Sequence, residues 1–173
     1  MSELIGFQIR PVTVRDATVV ARHRAAMFRD MGTLPRELVE EMQAMTGRSL
    51  CDAIVRGEYV GWLAVAADEP GGPGNPENIV AGAGVQLRRI LPFPGGTDGR
   101  VHVASGRQAI ALNVYTEPPY RRLGLARALM GRILEWAETD GIDSLVLHAA
   151  PAGRPLYESL GFVATNEMVW MGR

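Results

Sequence analysis

Asn113-Val-Tyr-Thr-Glu-Pro-Pro-Tyr-Arg-Arg-Leu-Gly-Leu-Ala-Arg-Ala-Leu-Met130 joins an apolar strand to an amphipathic helix through a double proline and an Arg/Gly turn. A helix entered so abruptly leaves its first N–H groups without intrahelical acceptors, at the positive end of the helix dipole. Those groups converge on one spot and favour phosphate, and Arg121, Arg122 and Arg127 add positive charge beside it. The stretch reads as an anion site, and the rest of the chain decides which anion.

Immediately before the turn, Gln108 to Tyr115 alternates as a strand, with Ile110, Leu112 and Val114 on one face and Ala111, Asn113 and Tyr115 on the other. After it, Ala126, Leu129, Met130, Ile133, Leu134 and Ala137 recur at helical intervals, and Gly141 suits the end of that helix. Ser144 to His148 predicts a short strand, Pro155 to Leu160 a brief helix capped by Gly161, and Phe162 to Met171 a closing strand.

Upstream, Phe7 to Pro11 predicts a strand. Thr13-Val-Arg-Asp16 has capping-box spacing, ahead of a helix marked by Ala17, Val20, Ala21, Phe28 and Met31. Pro35 opens a second helix with Leu38, Met42 and Met45 on its face. Gly47 is expected to break or bend it before Leu50 to Val55 continue. Strands Tyr59 to Ala67 and Ile79 to Ile90 flank a Pro/Gly-rich hairpin connection over 68–78, and Leu91 to Arg107 reads as a second long loop. The order β-α-α-β-β-β-α-β-α-β predicts an α/β sandwich with a mixed, mostly antiparallel central sheet flanked by helices.

The 173 residues fit one domain over 1–173, large enough for a core without disulfides or metals. A formal charge of −1 gives no general affinity for polyanions, so no nucleic-acid partner is expected. The three histidines lie far apart and Cys51 is alone, so neither a metal site nor a disulfide framework is expected. The opening residues lack a basic and then apolar leader and no apolar run approaches ~18 residues. A cytoplasmic protein with no membrane partner is the expectation. All 18 basic residues are arginine. Without lysine there is no side-chain amine for Schiff-base chemistry and no Walker lysine.

That absence excludes a P-loop. A dinucleotide fingerprint fits poorly too: Gly124 is the one glycine in the turn, Ala126 takes a second small position, and Ser144 stands where an acidic residue is needed. Arg121-Arg122-Leu123-Gly124-Leu125-Ala126 resembles the Arg/Gln-x-x-Gly-x-Gly/Ala motif of the GCN5-related N-acetyltransferases. Leu156-Tyr157-Glu158-Ser159-Leu160-Gly161-Phe162 resembles the second half of that family's pattern, and Ile9-Arg10-Pro11 with Asp16-Ala17 its first strand and helix.

The resemblance implies acetyl-CoA as cosubstrate. Its pyrophosphate would sit on the turn formed by Arg121, Arg122, Leu123, Gly124, Leu125, Ala126 and Arg127, with N–H groups offered from Arg122 to Arg127. Its pantetheine arm would add like a strand to Val114, Tyr115 and Thr116. By the same resemblance the Val114 N–H serves the oxyanion, and Tyr157 donates a proton to the departing thiolate.

The resemblance marks the base less well: some members of the family carry a glutamate on the strand before the last helix, where Ser144 to His148 has no carboxylate, and Ala150 stands where they often have asparagine. Glu117 ranks first among the bases, ahead of His148 and Glu167, although Glu117 also reads as a solvated loop residue and His148 as a structural histidine; Asn113 reads either as a substrate contact or as the pin of a bulge. Arg154 reads either as a ligand contact or as a surface charge. Cys51 belongs to the second helix and reads as core, so transfer is expected to be direct. The chain is thus expected to be an acetyl-CoA-dependent N-acetyltransferase acting on an amine of a small molecule or protein. The rival reading is a non-catalytic acyl-CoA-binding sensor. The resemblance is also compatible with a homodimer.

Overall fold

The computed structural model describes residues 4–67, 75–96, 101–165, 168 and 170. Its strands are β1 (Phe7–Pro11), β2 (Tyr59–Ala66), β3 (Ile79–Arg89), β4 (Phe93–Gly95), β5 (His102–Ala104), β6 (Arg107–Thr116) and β7 (Ser144–Leu147). The helices are α1 (Ala17–Asp30), α2 (Val39–Val55), α3 (Leu125–Thr139) and α4 (Arg154–Glu158). The main sheet has the order β1-β2-β3-β6-β7, antiparallel except where β7 runs parallel to β6. Mostly antiparallel and flanked by helices, it is the α/β architecture read from the sequence.

Period-two alternation divides the apolar residues into two cores. On β2, Ala64 and Ala66 join the cluster beneath α3, whereas Leu63 and Val65 join the one beneath α1 and α2. Leu125, Leu129, Met130 and Ile133 of α3 are buried against Ala81, Ala83, Ala109 and Ala111, whose small side chains let the helix sit close to the sheet. Each such burial contributes about 1.5–3 kcal/mol. At the other end of the chain, Asp16 takes the Thr13 N–H and hydroxyl and both arms of Arg10, at 2.7–2.9 Å. Burial alone would raise its pKa, but these donors outweigh that and hold it below the usual aspartate value.

Two irregularities shape the functional region. β6 pairs with β7 only from Gln108 to Ala111, because β7 ends at Leu147, and among the described residues no strand pairs with that edge of β6 beyond Ala111. On its other edge, Gly84 pairs with Leu112 but Gly82 with Tyr115, so Asn113 and Val114 together oppose Ala83 in a β-bulge. Asn113 adopts φ 57°, a left-handed conformation that asparagine tolerates better than most residues.

Several sequence expectations are corrected. The bulge breaks the predicted alternation: Val114 packs with Ala109 and Ala111, while Leu112 packs on the α1/α2 side. Helix α2 runs unbroken through Gly47, where an added Cβ would meet Ala21 Cβ at 4.0 Å. Packing against α1 outweighs a glycine cost of about 1 kcal/mol. The expected loop over Leu91 to Arg107 holds the β4–β5 hairpin, and Arg107 begins β6. In α3, Leu125 rather than Ala126 fills the first core position. Of the closing strand expected over Phe162 to Met171, residues 162–165 are in no strand, and positions 166, 167, 169 and 171 lie outside the described residues. Val163 is 82% exposed.

Candidate functional site

The turn is built from two residues in the left-handed region. A 3-10 turn over Pro118–Tyr120 follows Glu117, then Arg122 adopts φ 68° and Gly124 φ 84°, and α3 begins at Leu125. Such an alternation folds successive N–H groups around a concavity suited to an anion. Arg121 N donates to Pro118 O, and the next backbone N–H to find a backbone acceptor is that of Ala128, onto Gly124 O at 3.0 Å. Among the described residues, the N–H groups of Arg122 through Arg127 therefore have no backbone acceptor. These are the N–H groups that the resemblance assigns to a pyrophosphate.

The three arginines of the turn have different surroundings. Arg121 donates to Thr116 O at 3.0 Å, pairs with Asp30 at the end of α1, and lies over the Tyr115 ring at 5.7 Å. Arg127 donates to Ser159 Oγ at 2.6 Å, which ties α3 to the turn after α4 across 32 residues of sequence. Arg122 is exposed and makes no ion pair among the described residues. Leu125 contributes its N–H to the turn while its side chain anchors the core, and Leu123 is half-exposed.

From this turn the α1-facing residues of β6 form a row. Asn113 Oδ1 accepts from Arg24 Nη1 at 2.6 Å, and its Nδ2 donates to Tyr59 Oη at 3.3 Å. Tyr115 stacks obliquely on His23, with centroids 5.3 Å apart. Glu117 Oε1 lies 3.3 Å from His23 Nε2 and 3.7 Å from Arg22 Nη2. His23 is 1% exposed, and neither ring nitrogen completes a hydrogen bond among the described residues. Burial first, and the Arg22 charge second, push its pKa down to about 4, with the Ile79 carbonyl acting the other way. Burial also pushes Tyr59 up to about 12. Its hydroxyl lies over Gly84, where a Cβ would stand 2.2 Å from it.

Tyr157, the expected acid, is on α4 with its ring edge-on to Phe162 at 6.1 Å, packed against the α3-side core that also receives Val114. Burial raises its pKa, so the phenol stays protonated through neutral pH. Arg154 bonds Glu158 at 2.8 Å on the same helix. Cys51 is half-buried beside the α1/α2 core. His148 follows β7, and Glu167 lies outside the described residues.

A cavity of about 610 Å³ opens between α2 and the sheet on the α1/α2 side, with Leu112 and Asn113 on one wall and Arg24 reaching into it. His23, Arg24 and Tyr59 were not singled out from the sequence. A signal for Arg24 was present: it falls on the 17, 20, 21, 28, 31 stripe of α1, where a charge on a core-facing row stands out. Among the described residues no helix is long and apolar enough to cross a membrane, and no group of three or more metal-ligating side chains gathers.

A family model described as an acetyltransferase (GNAT) domain matches residues 77–164, spanning β3, the bulge, the turn, α3 and α4. A GCN5-related N-acetyltransferase from Ralstonia eutropha JMP134 superposes with a TM-score of 0.79 at 32% identity, over 95% of this chain and 97% of that one. A predicted acetyltransferase with acetyl-CoA from Clostridium acetobutylicum gives 0.72 at 24% identity, covering 96% of each chain. A ribosomal-protein-alanine N-acetyltransferase from Brucella melitensis gives 0.62 at 19% identity over 96% of this chain and 99% of that one, a likeness of fold alone. No curated protein matches. With the family model covering half the chain and a relative at 32% identity along nearly all of it, the chain belongs to the GCN5-related N-acetyltransferases and is an acetyltransferase.

Proposed function

We propose that the chain, acting as one domain, transfers acetyl from acetyl-CoA directly to an amine. The observation that carries this reading is that, among the described residues, two nearby stretches of backbone lack backbone partners, one on the edge of β6 and one in the turn. The edge of β6 beyond Ala111 is followed in sequence by the acceptor-free N–H groups of Arg122 through Arg127. An amide-rich arm ending in a pyrophosphate matches both halves, the first by strand addition and the second as an anion at a helix N-terminus.

In this reading Val114, Tyr115 and Thr116 hold the arm, and Arg121 is tied to the strand end through Thr116 O while Asp30 takes up part of its charge. Arg122 brings a charge that no carboxylate among the described residues pairs with. The Val114 N–H meets the carbonyl oxygen as negative charge builds on it. Tyr157 supplies a proton to the leaving sulfur, a role suited to a phenol kept protonated by burial. Glu117 receives the amine's proton. It stands just past the end of β6, beyond the bulge, and the proton reaches it through water.

Calorimetry with acetyl-CoA tests the assignment. Gly124→Glu places a carboxylate and a Cβ in a left-handed turn meant for phosphate, and binding should vanish while the fold persists by circular dichroism. Unchanged affinity would sink the proposal. Tyr157→Phe should lower kcat by about 10²-fold or more with little change in acetyl-CoA affinity. Equal losses in both would remove the acid role. Glu117→Gln should lower kcat by about 10²-fold with acetyl-CoA affinity unchanged, and an unchanged kcat would hand the base role to solvent.

A further inference from the structure

Arg24 is a charge with an unusual set of neighbours. It lines the cavity between α2 and the sheet, donates to Asn113 Oδ1 at 2.6 Å and lies over the Phe28 ring at 5.0 Å. Among the described residues it has no carboxylate within ion-pair distance, although Glu41, exposed on the same cavity, is acidic. Burial lowers its pKa, in keeping with a guanidinium removed from water and not compensated. A half-buried cation left this way is costly unless an anion completes it.

Around it the cavity is mainly apolar. Leu34, Leu38, Met42, Met45 and Leu50 line it, and of these Leu38 is still 44% and Met45 55% exposed. A volume of about 610 Å³ falls within the range of small-molecule sites. Arg24 is bonded to the bulge residue itself, one position from the Val114 N–H assigned above to the acetyl oxygen. An anion on Arg24 is thus held next to the reacting amine, while an apolar group extends over Met42 and Met45.

We infer that the acceptor is a free amino acid with an apolar side chain: its carboxylate sits on Arg24, its side chain in the α2 cavity, and its amine at the bulge. This rests on the acetyl-transfer reading and names its substrate class. An α-amino carboxylate suits the site because one carbon separates its two polar groups. A peptide N-terminus offers a neutral amide at that place, and a polyamine brings a second cation against Arg24. The guanidinium also disfavours a neighbouring ammonium, so it helps present the amine in its neutral, nucleophilic form. In the step, the amine nitrogen bonds the acetyl carbon and the carbon–sulfur bond breaks. One proton leaves nitrogen toward Glu117 and one reaches the thiolate from Tyr157, giving an N-acetylamino acid and CoA thiol.

The experiment compares L-phenylalanine, L-phenylalaninamide, phenethylamine and spermidine as acceptors by thiol release. In parallel, calorimetry compares N-acetyl-L-phenylalanine with its amide. L-Phenylalanine should exceed the other three in kcat/KM by at least about tenfold, the usual weight of one charge-assisted bond. Arg24→Gln should erase that preference and leave acetyl-CoA affinity unchanged. Met45→Glu, at an exposed wall position, should raise KM for phenylalanine and not for alanine. If acetyl-CoA binds but amide and carboxylate serve equally, or spermidine is preferred, the inference is overturned while the acetyl-transfer reading stands. If acetyl-CoA fails to bind while N-acetyl-L-phenylalanine binds in an Arg24-dependent way, the acetyl-transfer reading falls and the carboxylate site stands.

Discussion

His23 shows how far a single side chain can depart from its ordinary chemistry in this fold. An imidazole with both nitrogens short of a hydrogen bond is held neutral by burial, against the pull of a carboxylate 3.3 Å away. Its folded pKa of about 4 lies below the ordinary value of 6.5, so between those limits the unfolded chain binds more protons than the native one. Stability from this group is complete above about pH 6.5 and is lost as the pH falls toward 4. At about 1.36 kcal/mol per pKa unit, the loss reaches at most about 3 kcal/mol. Urea unfolding at a series of pH values should show that slope, and His23→Gln should flatten it. A slope that persists in the variant would place the titration elsewhere. The Asp16 cluster cannot mimic it, because a lowered aspartate loses its stabilisation only as the pH falls below the ordinary carboxylate value of 3.8.

At the scale of elements, what the sequence discloses depends on whether the signal is local. The turn was legible because its parts are adjacent: a strand end, two prolines, a glycine, then a clean helical period. The same holds for the capping box at Thr13 and Asp16. The bulge was not legible, since nothing in Leu112-Asn113-Val114 announces that two residues must face Ala83. Its support comes from Tyr59, 54 residues away, whose hydroxyl receives the Asn113 amide. Gly84 reads in isolation as a weak point of a strand, yet a methyl there would collide with that hydroxyl. Its reason is a contact made across the sheet. The three site residues passed over, His23, Arg24 and Tyr59, share this character: each acquires meaning from a partner on another element. Arg24 alone also left a local trace, as a charge on the apolar row of α1. Gly47 errs in the opposite direction, because a local helix breaker is overruled by the packing of α1 on α2.

Across the whole molecule, α1 is the element that joins the two halves of the site. Near its start it packs on the sheet through Ala17, Val20 and Ala21, in its middle Arg24 grips the bulge, and its last residue, Asp30, grips Arg121 of the turn. The Asp30–Arg121 pair is partly exposed, at 33% and 45%, so its direct contribution to stability is under about 1 kcal/mol. Its electrostatic effect on a phosphate is a separate matter. A carboxylate beside Arg121 cancels one of the few positive charges near the concavity, so Asp30→Asn should tighten acetyl-CoA binding by about two- to fivefold at low ionic strength. That gain should fade above about 0.5 M salt, where screening shortens the reach of an exposed charge to a few ångströms. Isothermal titration at two salt concentrations, with a melting curve on each protein, separates the alternatives. Tighter, salt-sensitive binding at nearly unchanged Tm means that Asp30 competes with phosphate for Arg121. Weaker binding at both salt concentrations means instead that Asp30 holds Arg121 in the geometry the turn requires, and the competition account fails.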